Sequence, residues 1–275
     1  MARGTPHHTG RPAALFGSGD HHGADDARGL RSGIAANRRA LGSVIALLGL
    51  DLTVPDHSTL SRRSKTLDMP PLLRSGTGPL HLLVDSTGLK LGGAGEWLVE
   101  KHGTSRRRSW RKLHLGVDAE SGEILAIELT RKEIDDAARS GALLDQITDP
   151  IASFTADGAY DQDRVYETVA EHHPDATVIV PPRSIAVPSA AAETAPTQRD
   201  RHIQEIAERG RMGWQKSSGY NLRAKVEAAI GRYKRVIGDA LRSRTDETEA
   251  TEVAIAAAAL NRMLEFGRPN YVRIA

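Results

Sequence analysis

The sequence predicts a layered α/β domain at residues 80–268, preceded by a short helical element at residues 41–68. Three observations predict it. Strand-like segments follow one another as "LHLLVDSTGLKL" (Leu80–Leu91), "WRKLHLGVD" and "EILAIELT", the last two joined by the turn "AESG". Strand and helix patterns then alternate, as they do in a sheet covered by helices. Two long helical patterns, around 220–242 and 246–265, close the chain.

Residues 1–40 are rich in Gly, Ala, Arg, Asp and His and lack sustained apolar periodicity, so they read as disordered or atypical. The histidine pairs at 7–8 and 21–22 suggest metal binding only weakly, because nothing there signals packing. "RRALGSVIALLGL" reads as a short helix, and Pro55 breaks the turn after it. "DHSTLSRRSKTL" (Asp56–Leu67) reads as a second helix with Asp56 or Ser58 as its cap. Two short helices with Ser58, Thr59, Arg62 and Arg63 on the second fit a helix-turn-helix-like DNA-binding element, though many helical hairpins carry basic surfaces. Residues 69–79, rich in Pro and Gly, read as a linker.

In the larger domain, "DDAARSGALLDQI" reads as a helix and "ASFTADGAYD" as a strand ending at Asp157. "QDRVYETVAEHH" reads as a helix, "ATVIVPPR" as a strand stopped by prolines, and "SIAVPSAAAETAPTQ" as a loop.

Composition narrows the function. The 275 residues are 39% hydrophobic and 26% charged, enough for a sizeable core. There is no cysteine, which excludes disulfides and cysteine-ligated metal sites and suits a cytoplasmic protein. The longest apolar run, Val44–Leu50, is far short of the ~20 residues of a membrane span. The net charge of +2 says little, but its distribution says more. Residues 101–112 hold six Lys/Arg and no acid, and residues 201–244 hold 11 Lys/Arg against 4 Asp/Glu. Such stretches point to a polyanion such as nucleic acid, or to a solvated charged surface. "SRRRSW" (Ser105–Trp110), with Arg106 and Arg108, reads as a DNA-contacting loop or a basic hairpin edge.

Three acids stand out. Asp85 interrupts an apolar strand, where a carboxylate is costly unless paired, hydrogen-bonded or metal-bound. The turn-like "STG" after it places Asp85 near the exposed strand end, and Asp157 has the same setting before Gly158. Glu227 is the lone acid in "SSGYNLRAKVEAAIGRYKR". On a helix entered at Gly219, Tyr220, Arg223, Glu227 and Lys234 project within a roughly 60° arc. An Arg223–Glu227 ion pair accounts for two of the four. A metal reading accounts for more: three carboxylates hold two Mg²⁺ that clamp a phosphodiester, while Tyr, Arg and Lys grip the backbone.

At these residues the chain resembles the DDE transposases of bacterial insertion sequences. Tyr220-x2-Arg223-x3-Glu227-x6-Lys234 is similar to the signature around their final glutamate. "LLVDSTGLK", "WRKLHLGVD", "TADGAYD", "RDRHIQEIAERGR" and "RVIGDALRSRT" look like the insertion-sequence-five type, from about residue 43 to the end. The resemblance implies an α/β fold with a ribonuclease-H-like mixed sheet flanked by helices, plus a small N-terminal helical DNA-binding element. It implies DNA cleavage at transposon ends and strand transfer, with Asp85, Asp157 and Glu227 as catalytic ligands of two Mg²⁺ (or Mn²⁺). It implies DNA contacts from Tyr220, Arg223 and Lys234, and from the Ser58–Arg63 segment. The partners implied are transposon-end and target DNA, with the protein a homo-oligomer on that DNA, and no membrane. Residues 1–42 depart from the family's helical N-terminus, so a frameshift or an alternative start is expected there. The alternative function is then a catalytically impaired DNA-binding remnant.

Overall fold

The computed structural model describes residue 39, residues 41–91 and residues 110–267. Arg106, Arg108 and nearly all of the stretch read as disordered lie outside the described residues. The chain divides into two units, ending and beginning at Arg63 and Ser64.

In the first unit, α1 (residues 41–47) and α2 (His57–Arg63) are joined by a turn. Asp56 is the cap of α2: its Oδ1 accepts from the Thr59 amide at 2.7 Å and from the Ser58 hydroxyl at 2.9 Å. The helix stops at Arg63, short of the expected Leu67. Arg62 donates to the Thr59 hydroxyl at 3.3 Å, so two of the expected DNA contacts touch each other.

The second unit is built on β1 (Leu80–Leu91), β2 (Trp110–Asp118), β3 (Ile124–Arg131), β4 (Ile151–Thr155), β5 (Thr177–Ile179) and β6 (Ala240–Leu241). The order is β3-β2-β1-β4-β5, with β6 also pairing β1. The first three strands are antiparallel, while β4 and β6 run parallel to β1 and β5 runs parallel to β4. The helices are α3 (Ser140–Leu144), α4 (Asp163–His172), α5 (Gln198–Ser218), α6 (Ala224–Val236) and α7 (Asp246–Glu265).

The apolar run that opens β1 follows from burial on both faces. Leu80, Leu82 and Val84 pack with Leu143, Phe154, Val165 and Val169, on the side of α3 and α4. Leu83 and Leu89 pack with Leu113, Leu115, Val226, Tyr233, Val253 and Leu260, on the side of α6 and α7. The result is a mixed six-stranded sheet flanked by helices, a ribonuclease-H-like fold.

Three expected features differ in the structure, and one helix is added. Ser86, Thr87 and Gly88 are not a turn; they continue β1 opposite His114, Leu113 and Lys112, so Asp85 lies within the strand. The added helix is α5, which fills the stretch between the expected loop and the helical pattern near 220, and its start is fixed by Thr197, which accepts from the Asp200 amide in a capping box. Tyr220–Arg223 is a 3₁₀ turn, and the α-helix begins only at Ala224. That helix ends at Val236, because Leu241 is drawn into the core and Ala240 pairs with Lys90 as β6.

Candidate active site

Strand pairing creates the setting. The ladder between β1 and β4 ends with Leu83 opposite Thr155, and β6 begins only opposite Lys90. Between them, residues 84–89 have β2 on one side and, among the described residues, no ladder partner on the other. Two residues beyond the last pair come Asp85 and Asp157. The two acids are therefore neighbours by register, although 72 positions separate them in sequence. Asp85 shares its face of β1 with Leu83 and Leu89, the face that α6 covers.

Each acid is also held locally. The Ser86 amide donates to Asp85 Oδ1 at 2.8 Å. Asp157 caps the 3₁₀ turn Gly158–Tyr160, accepting from the Ala159 amide at 2.9 Å. Glu227 lies in the first turn of α6, with its side chain 58% exposed.

Arg223 joins all three. Its Nη2 lies 2.8 Å from Asp85 Oδ2 and 3.8 Å from Asp157 Oδ2, and its Nη1 donates to Glu227 Oε1. The i, i+4 pair that a simple surface reading expects is thus present, as one arm of a larger cluster. Arg223 is poorly exposed at 16%, and among the described residues its buried Nε has no hydrogen-bond partner. Burial pushes the Asp85 carboxyl above its ordinary range, with Asp157 and Glu227 adding to the rise. Arg223 and the Ser86 amide oppose it without cancelling it. Burial likewise raises Tyr220, so it stays a phenol that can donate.

A second line of residues supports Tyr220. Gly219, at φ 75°, ends α5 in the left-handed region and turns the chain so that Tyr220 meets the Trp214 ring, with centroids 5.3 Å apart. Trp214 is fully buried, and its indole N–H donates to His202 Nδ1 at 2.9 Å. His202 Nε2 then donates to the Val178 carbonyl at 2.8 Å, which ties the turn to β5. Sequence reasoning missed His202 and Trp214. They are twelve positions apart on a helix broken at Gly210, so no helical periodicity relates them.

Among the described residues, Lys234 forms no ion pair with the three carboxylates. It lies seven residues beyond Glu227, roughly 10 Å along the helix, and beside Asp239. There it adds to the Lys90 ion pair that holds the Asp239 carboxyl below its usual range. Several other basic residues of 201–244 tie the fold together. Lys225 and Arg232 donate to the carbonyls of Ala119 and Gly122, and Arg211 donates to that of Pro182.

The donor set suits a hard divalent cation, since three carboxylates already converge on one positive group. As arranged around Arg223, however, they form no ligand cluster by themselves, and no other such cluster exists among the described residues. Among the described residues, no helix is long and apolar enough to cross a membrane.

The sheet order and its helical layers define a ribonuclease-H-like protein with an acidic cluster at the break in one strand's pairing. Residues 76–262, a span containing Asp85, Asp157 and Glu227, match the family model described as a transposase DDE domain. Residues 35–94 match a second model of the same description. The chain belongs to the DDE transposase family.

Proposed function

We propose that the protein is an insertion-sequence transposase, of the insertion-sequence-five type, which cleaves DNA at transposon ends and joins the freed end to target DNA. Asp85, Asp157 and Glu227 are its catalytic residues and the ligands of two Mg²⁺, with Mn²⁺ as a substitute. The observation that carries the reading is the convergence of these three carboxylates on Arg223. Bound there, the ions supply charge neutralisation at the phosphoryl oxygens and an acidified attacking water.

The chain's own groups do the rest. In the first step a water oxygen bonds to phosphorus and the P–O3′ bond breaks, leaving a 3′-hydroxyl and a 5′-phosphate. In the second, that 3′-oxygen bonds to a target phosphorus, and the target's own P–O3′ bond breaks. Tyr220, held by Trp214, donates its O–H to the DNA backbone, and Arg223 and Lys234 contribute positive charge along the same path. Ser58, Thr59, Arg62, Arg63, Arg106 and Arg108 make further DNA contacts, and the protein acts as a homo-oligomer on paired ends.

The test uses purified protein, Mg²⁺ and labelled DNA bearing the element's own ends. Wild type gives 3′-hydroxyl cleavage and joined products. Glu227→Gln gives neither and still binds the DNA. Cleavage that survives this substitution would refute the assignment. Wild-type binding without cleavage would favour a DNA-binding remnant.

A further inference from the structure

We infer that Arg223 is a built-in counter-ion that competes with divalent metal for the three carboxylates, and that metal entry releases its guanidinium toward the DNA phosphate. The inference rests on the reading of Asp85, Asp157 and Glu227 as metal ligands and adds a switch to it. One guanidinium uses Nη1 and Nη2 to reach three acids that come from β1, from the turn after β4 and from α6. Both Asp85 and Arg223 are largely withdrawn from solvent, so the contact is only weakly screened. Like charges at such separations repel unless a cation stands among them.

The oxygen atoms that contact Arg223 are the ones a metal needs. Asp85 Oδ1 accepts from the Ser86 amide, so Oδ2 is the less engaged of the two oxygens apart from Arg223, and Oδ2 is the atom that faces Arg223. A cation held by these carboxylates would take the place of the guanidinium. Arg223 sits at the end of a 3₁₀ turn, and among the described residues its Nε is unpartnered and its side-chain hydrogen bonds go only to the acids. Once displaced, it is a strong phosphate ligand at the edge of the same site. Without metal the acids are quiet and the arginine is occupied. With metal, both are available to DNA together.

The test needs no DNA and no turnover. Mn²⁺ binding is measured by calorimetry for wild type, Arg223→Met, Glu227→Gln and Asp85→Asn. Arg223→Met is expected to bind Mn²⁺ more tightly than wild type, on the order of tenfold, since a unit charge beside the ion is removed. Equal or weaker binding by folded Arg223→Met overturns the switch. A second measurement uses unmutated protein labelled with ¹⁵N-arginine. The ion pairs restrict rotation of the Arg223 guanidinium and keep its Nη signals distinct, and Mg²⁺ is expected to merge them. Distinct signals that persist at saturating Mg²⁺ also overturn the switch. If Mn²⁺ binding is unchanged in both Glu227→Gln and Asp85→Asn, the ligand assignment itself has failed, an outcome separable from failure of the switch alone.

Discussion

Asn261 and Asp85 show how single side chains fix this fold and its site. Asn261, on α7, accepts from the Ile124 amide at 2.8 Å and donates to the Ile124 carbonyl at 2.7 Å, where β3 begins. It is 8% exposed, so water is a poor substitute. Asn261→Leu should cost about 1–3 kcal/mol for each backbone group left unpaired, read as a clear drop in thermal midpoint. An unchanged midpoint would show that the pairing is not needed. Nothing in the sequence around Asn261 reveals this role, because its partner is 137 positions away. Asp85 was legible for a different reason: a carboxylate inside an apolar strand has few inexpensive explanations. What the local sequence hid was its place within β1 rather than at its end. "STG" has turn chemistry, but the long pairing with β2 outweighs that local preference.

At the level of elements, strong periodicity was readable and broken periodicity was not. The three antiparallel strands, α4 and α7 are where their patterns predict them. α5 went unassigned because, of its 21 residues, only Asp200 and Trp214 are buried, which leaves no apolar stripe to read. Gly210, at φ 72° and ψ 166°, breaks it in a region that essentially only glycine adopts. Gly210→Ala should therefore destabilise by about 1–3 kcal/mol and disturb the seating of Trp214 against Tyr220. Trp fluorescence together with thermal unfolding checks this. A fully stable variant with unaltered emission would show that the break carries no constraint. The 3₁₀ turn before α6 was hidden for a related reason. Residues three apart eclipse in a 3₁₀ turn and nearly align in an α-helix, so the Tyr220/Arg223 spacing does not separate the two.

For the whole molecule, the sheet's connectivity makes the site. The gap between the β4 and β6 ladders on β1 brings Asp85, Asp157 and the start of α6 together from positions spread over 143 residues of chain. Net charge was a poorer guide. The basic excess of residues 201–244 is partly used to fasten α6 to the β2–β3 turn through Lys225 and Arg232. A salt titration of DNA binding therefore counts fewer phosphate contacts than the sequence has positive charges. Whether Asp85, Asp157 and Glu227 share a metal site is decided by iron-directed cleavage of the polypeptide. Fe²⁺ with ascorbate and peroxide generates radicals that cut the backbone beside the bound ion. If the three acids share the ion, cuts are expected in β1 near Asp85, in the turn at Asp157 and at the start of α6, all suppressed by Mg²⁺ and absent in Asp85→Asn. Cuts confined to other segments, or unaffected by Mg²⁺, would contradict a shared site.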